Sequence, residues 1–368
     1  MTDSPMEVHR VSRETASGEG TERVDLLRAE GHAQLRAFLA DRPDATIFHQ
    51  PEWADVIRST YGHPMRYWTV SSGAEIVGAF PVTIMRAPGF GSKCVAMPYQ
   101  MDSGVPLADA ATVRDALLQA CIADAKQTGA KYIEIRHREE AAWLEAAGFV
   151  RVESGLVTTT VPLEGLELTQ AEHGHRQRVR KAGRLGVEVE RSDRIEDLRL
   201  FRRMYLETGR AMGAPQAGWR YFAAMHESLG SRLGLYMAKQ EGRVVGGFLV
   251  LGEGRTLFAR CSAHSSPESL SANAGQALWW KAMTDAAEAG FAEFNCGISW
   301  SGDAGLIKWK EGWGGTSRPV FTYVLPLNTK PPEAGGYFEG YGLAKALWRR
   351  MPLAVVDVLG HQVTRWIG

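Results

Sequence analysis

ALLQACIADAKQTGAKYIEI, beginning at Ala116, and ALWWKAMTDAAEAGFAEFNC, beginning at Ala277, are two versions of one pattern, 161 positions apart. Ala116, Leu117, Asp124, Ala125 and Gly129 of the first recur as Ala277, Leu278, Asp285, Ala286 and Gly290 of the second. Each stretch reads as an amphipathic helix, a glycine stop and a strand. Self-similarity at a long period is the sequence mark of a duplicated fold.

Working outward, AEIVGAF (Ala74 to Phe80) matches GRVVGGF (Gly242 to Phe248) at an offset of 168. Both follow a short apolar strand and a polar turn, SSG in one and QEG in the other, which is hairpin chemistry. EAAGF ending at Phe149 matches WKEGW ending at Trp313, and VTTTVPL (Val157 to Leu163) matches FTYVLPL (Phe321 to Leu327), both at 164. Four matches in one order predict an α/β protein of two tandem mixed-sheet units. The units are placed at 23–164 and 165–328, with a tail over 1–22 and a helical extension over 329–368. Trp348, Leu353, Val356, Leu359 and Trp366 make that extension amphipathic, either packed on the body or in peripheral contact with a membrane.

At 368 residues the chain suits two domains. Its 42 basic and 42 acidic residues balance, which gives no global nucleic-acid footprint and no DNA partner. Any RNA contact must rest on a local patch. No apolar run is long enough to span a bilayer, and the polar N-terminus lacks the apolar core of a signal peptide. It reads instead as disordered. Cys94, Cys121, Cys261 and Cys296 have no metal-type spacing and sit in apolar surroundings as reduced thiols, so a cytoplasmic location and no metal are expected.

The element order resembles the GNAT acyltransferase fold, and its tandem form resembles the FemABX family of aminoacyl transferases. HRQRVRKAGRLGVEVE (His175 to Glu190), FAEFNCGIS and GLIKWKEGWGG carry the likeness. It implies a catalytic second unit, aminoacyl-tRNA as co-substrate with no bound cofactor, and an amine-bearing envelope precursor or peptide as acceptor. It also implies that the PYQMDSG loop with Tyr99 lines an acceptor cleft between the units. The sequence departs from the family's pattern at Asn295, Ile298 and Ile307, where the family has Asp, Arg and Phe.

Lys308 is the leading catalytic candidate. In the repeat alignment it stands opposite Leu144, and a lysine replacing an apolar residue in one copy suggests a function gained there. The resemblance implies that it stabilises an oxyanion. Lys310, two positions along, is expected to face away. Asp303 and Asp102, in Gly/Ser-rich loops, are candidate general bases. Arg176, Arg180 and Arg184 recur every fourth residue on a predicted helix, which suits either phosphate contacts to a tRNA end or a solvated face. Trp300 and Trp309 are candidate walls of a substrate groove, Asn295 a candidate contact, and Cys296 reads as a buried thiol rather than a nucleophile.

The turn SLSANAGQA opens the second-unit helix. Asn273 and Gly275 suit either a plain helix start or a phosphate cradle. Ala272 stands where acetyl-CoA enzymes place Gln or Arg, so CoA is less expected as donor. The expected function is amide formation by aminoacyl or acyl transfer to an amine. A CoA-dependent N-acyltransferase and a non-catalytic GNAT-like scaffold are the alternatives.

Overall fold

A computed structural model describes residues 22–27, 29–87, 91–99, 102–264, 272–329 and 342–367. Of the expected disordered tail over residues 1–22, only Glu22 lies within the described residues. The first half of the chain runs β1 (Glu22–Leu26), α1 (His32–Ala40), α2 (Pro51–Tyr61), β2 (Met65–Ser72), β3 (Glu75–Ala87), β4 (Gly91–Ala96) and β5 (Leu107–Ala108). Then come α3 (Ala111–Gln127), β6 (Tyr132–His137), α4 (Ala142–Ala146), β7 (Val150–Val152) and β8 (Leu156–Pro162). The second half runs α5 (His173–Arg184), β9 (Val187–Ser192), α6 (Ile195–Met212), α7 (Trp219–Leu229), β10 (Leu233–Gln240), β11 (Arg243–Glu253) and β12 (Thr256–His264). It continues with α8 (Ala274–Glu288), β13 (Glu293–Trp300), α9 (Ala304–Glu311), β14 (Thr316–Pro319) and β15 (Phe321–Pro326). Helices α10 (Gly342–Arg350) and α11 (Leu353–Ile367) follow.

The repeat is present, element by element. Hairpin β2–β3 corresponds to β10–β11, helix α3 to α8, and strand β6 to β13. Both duplicated helices break at a left-handed glycine, Gly129 at φ +72° and Gly290 at φ +85°, a conformation open to glycine at little cost. Strand β11 is buried along most of its length because α6 covers one face of its sheet and α8 the other. Its unbroken apolar run is the pattern of a strand with no solvent side.

The two sheets exchange their last strands. One sheet has the order β1-β2-β3-β4-β6-β15-β7, with β5 paired to β3, and the other β14-β8-β13-β12-β11-β10-β9. Strand β8 of the first half thus pairs antiparallel with β13, Phe294 opposite Val161. Strand β15 of the second half pairs with β6, Tyr323 opposite Ile135. The sequence intervals 23–164 and 165–328 are therefore not closed in space: each supplies the strand that its partner's sheet needs.

A shared apolar core joins the halves. Trp53, Val56 and Ile57 of α2 bury against Phe222 and Met225 of α7, with Leu249 and Leu251 of β11 beneath them. Aromatic edges meet within it, Trp53 against Phe48 with centroids 4.9 Å apart. At about 25 cal/mol per Å² of apolar surface, burial on this scale makes the two halves one structural body.

Candidate active site

In each sheet two neighbouring strands run parallel for a short distance and then part. Strands β12 and β13 pair only from Thr256–Phe258 to Glu293–Asn295. Strands β4 and β6 pair only at Cys94–Val95 and Ile133–Glu134. A notch opens beyond each pair, and the two notches are treated differently.

The first-half notch is stitched shut by the chain following Tyr99. Ser103 forms an antiparallel bridge with His137. Gly104 N–H donates to the Arg136 carbonyl at 2.8 Å, and Arg138 N–H to the Asp102 carbonyl at 3.0 Å. The buried pair Glu134–Arg136 sits alongside. Backbone and paired charges leave this notch no open floor.

The second-half notch stays open as a cleft of about 320 Å³. Arg260, Cys261 and Ser262 of β12 form one wall, Cys296 of β13 the other, and Trp279, Trp309 and Lys310 close it from α8 and α9. Lys310 is only 4% exposed. Its Nζ donates to the carbonyls of Gly297 at 2.7 Å and Ile298 at 3.2 Å, where β13 kinks away from β8. An ammonium has three donors, so one N–H remains for an oxygen in the cleft. Burial lowers its pKa to about 8, with Cys296 and Asp303 pulling it back up.

The Cys296 thiol is pushed up to about 12 by burial, against the opposing pull of Lys310. Cys261, also raised by burial to about 12, is equally a thiol at neutral pH. Neither is a thiolate nucleophile.

Arg260 holds the other end. Its Nε donates to the Tyr221 hydroxyl at 2.7 Å and its Nη1 to the Tyr99 carbonyl at 3.3 Å. No carboxylate among the described residues forms an ion pair with it. A guanidinium held by a phenol and a carbonyl keeps its charge and a spare N–H for an anionic group.

Several expected site residues lie elsewhere. Lys308 is exposed on α9 and Lys310 buried, the reverse of the expectation. The reason is the helix end. α4 stops before Gly148 (φ +93°), whereas the residue that caps α9, Gly312, keeps helical backbone at φ −58°, and the left-handed glycine is Gly314 (φ +87°). Aligned on that stop, the offset becomes 166 and Leu144 pairs with Lys310.

Asp303 caps α9, its carboxylate accepting from Leu306 N–H at 3.1 Å. Asp102 is buried in the junction between the halves, where its carboxylate accepts from Asn295 Nδ2 at 2.7 Å and Thr158 Oγ1 at 3.0 Å. That placement removes Asp102 from the cleft. Asn295 Oδ1 in turn accepts from Gly297 N–H at 2.8 Å, which braces the kink that Lys310 binds.

Trp309 lines the cleft and Tyr99 reaches it through its carbonyl, while Trp300 lies 40% exposed at the far end of β13. Asn273, at φ +58°, and Gly275 form the start of α8. Arg180 is exposed, and Arg176 is half-buried, donating to the carbonyls of Thr169 and Ala171. The residue missed beside them is His175. Buried on α5, it stacks on Trp313 with centroids 4.2 Å apart and its Nε2 meets the Trp309 carbonyl at 2.9 Å. Burial lowers its pKa, so a neutral imidazole donates to that carbonyl and holds α9 in place.

The fold is GNAT-like, and residues 170–311 match the family model described as an acetyltransferase (GNAT) domain. The fold is similar to that of FemX: that crystal structure superposes with a TM-score of 0.70 at 18% identity, over 83% of this chain and 98% of FemX. The C-terminal domain of a putative lysylphosphatidylglycerol synthetase from Agrobacterium fabrum is also similar, with a TM-score of 0.55 at 14% identity over 90% of this chain and 96% of that one. A tandem GNAT protein from the clavulanic acid biosynthesis pathway gives 0.53 at 12%, over 84% and 100%. No curated protein sequence matches the chain. Among the described residues no helix is long and apolar enough to cross a membrane.

Proposed function

We propose that the chain forms an amide by transferring an aminoacyl group, from aminoacyl-tRNA, onto the amine of a cell-envelope precursor or small peptide, in the cleft between β12 and β13. The observation that carries this reading is Lys310, a buried cation fixed by two carbonyls with one donor to spare. The acceptor nitrogen attacks the ester carbonyl carbon and a C–N bond forms. Charge gathers on the carbonyl oxygen, where the free N–H of Lys310 meets it. When the C–O bond breaks, the leaving ribose hydroxyl takes up the proton that the amine gives up. Arg260 anchors an anionic group of one substrate, a carboxylate or phosphate, at the other end of the cleft.

Lys310→Met tests this directly, assayed with aminoacyl-tRNA and acyl-CoA donors against a panel of amines. Turnover should fall by about 100-fold or more with substrate affinity little changed, as for a lost oxyanion donor. Lys308→Met should be nearly silent. Equal turnover of Lys310→Met and the parent protein would remove Lys310 from the mechanism, and a parent inactive with every donor would put the scaffold reading ahead.

The match to an acetyltransferase model favours a second reading, a CoA-dependent N-acyltransferase. Calorimetric titration decides between them: micromolar CoA binding, roughly −8 kcal/mol, selects the second.

A further inference from the structure

Helices α10 and α11 both pack on α6, and the outer surface of this helix pair has the wrong polarity for water. On α11, Val356 is fully buried against the body, and Asp357 pairs there with Arg202. The opposite face carries Val355, Val358, Leu359 and Val363, all exposed, at spacings of i, i+3, i+4 and i+8. That is one continuous stripe on a helix. Leu343 and Leu347 of α10, 89% and 60% exposed, sit one turn apart and make a second stripe. A helix lying on a soluble body ordinarily turns polar residues to this side.

The charge is equally local. The chain as a whole is balanced, yet residues 342–367 contain Lys345, Arg349, Arg350 and Arg365 against the single acid Asp357. That acid is already paired with Arg202. Beside α11 lies a groove of about 570 Å³ between α2, the start of α7 and α11, lined by Arg58, Arg220, Asp357, His361 and Arg365. Arg58 is paired with Asp55 at 2.6 Å. Arg365 Nε and His361 Nδ1 are buried with no hydrogen-bond partner. With Arg58, Arg220 and Arg365 among its lining residues and Asp357 as the one acid, the groove suits a ligand that carries negative charge. Val358 belongs to both features, exposed on the stripe and lining the groove.

We propose that α10 and α11 lie in the interface of a bilayer containing anionic phospholipid. The stripes of α10 and α11 sit among the upper acyl chains, and lipid phosphates occupy the groove around Arg220 and Arg365. Apolar ridges rimmed by arginine fit that partner on both counts. A second copy of the chain fits poorly, because its patch would bring the same positive excess face to face. A length of 15 residues, about 22 Å of helix, suits an in-plane element.

The test is flotation of the full chain with vesicles of phosphatidylcholine alone and of phosphatidylcholine mixed with phosphatidylglycerol. The parent should float only with the mixed vesicles and be released by salt. Val358→Glu/Leu359→Glu, both at exposed positions, should abolish flotation without changing circular dichroism or melting temperature. Arg220→Gln/Arg365→Gln should weaken it by about 25-fold, about fivefold per charge.

Failure of the parent to float with mixed vesicles overturns the proposal. So does flotation that the glutamate variant retains. A parent that ignores vesicles but sediments as a dimer, with the glutamate variant a monomer, overturns it in favour of self-association. Stabilisation by inorganic phosphate without flotation overturns it in favour of a soluble anion.

Discussion

Leu144 and Lys310 occupy the same place in the two repeats: each is buried, and each stands four residues before a left-handed glycine, Gly148 in one half and Gly314 in the other. The duplicated helix thus offers one inward position near its end, filled by an alkyl chain where the notch is closed and by a cation where it is open.

Lys310 should make activity and stability respond to pH in opposite senses. Its native pKa, about 8, lies below the 10.5 of an ordinary lysine because burial disfavours the ammonium. Between those values the unfolded chain holds a proton that the native chain has shed, so this group's contribution to stability rises with pH there. Below the native value the folded protein carries the full cost of the buried charge. The gain in melting temperature of Lys310→Met over the parent should be largest at about pH 7 and shrink towards about pH 10. Parent turnover, limited by the ammonium form, should fall as pH rises through the native pKa. A pH-independent stability difference would show that the charge is not buried.

Asn295→Asp should be strongly destabilising. The substitution places a second carboxylate against the Asp102 oxygen that now accepts from Asn295 Nδ2 at 2.7 Å. Two buried like charges cost about 3 kcal/mol or more at neutral pH. Acidification should recover part of the loss as one carboxyl protonates, and the pair Asp102→Asn/Asn295→Asp should restore most of it. Urea denaturation of the three proteins at two pH values measures both effects. An additive double variant would rule out direct coupling.

His175→Ala should lower turnover with little change in affinity, because it removes the stack on Trp313 and the hydrogen bond to the Trp309 carbonyl that seat α9. Loss of a buried ring of this kind costs about 3 kcal/mol. His175→Gln, which can still donate, should keep more activity than His175→Phe, which keeps only the stack. Steady-state kinetics on the three variants separates the contributions, and equal kcat in all three would remove His175 from the positioning of Lys310.

Expressed separately, the intervals 23–164 and 165–328 should each fail to give a folded monomer. Each leaves an open ladder edge on β6 or β13 and carries a strand whose partner is on the other piece. Unpaired edges of this length drive association. Co-expression should rescue both as a one-to-one complex, seen by gel filtration. Two independently folded monomers would contradict the exchanged topology.

The duplication was legible because its marks are local: an amphipathic helix, a left-handed glycine and a strand recur around Gly129 and Gly290. Exchange of β8 and β15 was not, since VTTTVPL and FTYVLPL fit either sheet equally well and nothing in a strand records which copy it pairs with. The expected orientation of the two lysines failed for a finer reason. WKEGWGG contains three glycines, and aligning on Gly312 instead of Gly314 shifts the helix by two residues and turns Lys310 outward on paper. Asp102 misled in the same way: a loop rich in small polar residues reads as open, whereas its backbone bonds to Arg136 and Arg138 draw it inside. His175 was hidden among the arginines of α5, although a histidine at the inward position of a basic helix was the available signal.

The exchanged strands also constrain how substrates can enter. A protein of two lobes commonly admits its ligands by swinging them apart about a hinge. Here the chain crosses from one sheet to the other between Val152 and Leu156 and crosses back between Pro319 and Phe321. Any swing wide enough to part the sheets would have to unzip β8 from β13 and β15 from β6 together. Access to the cleft between β12 and β13 is therefore left to side chains and connecting segments, and under the proposed function the donor's reactive end would enter past them.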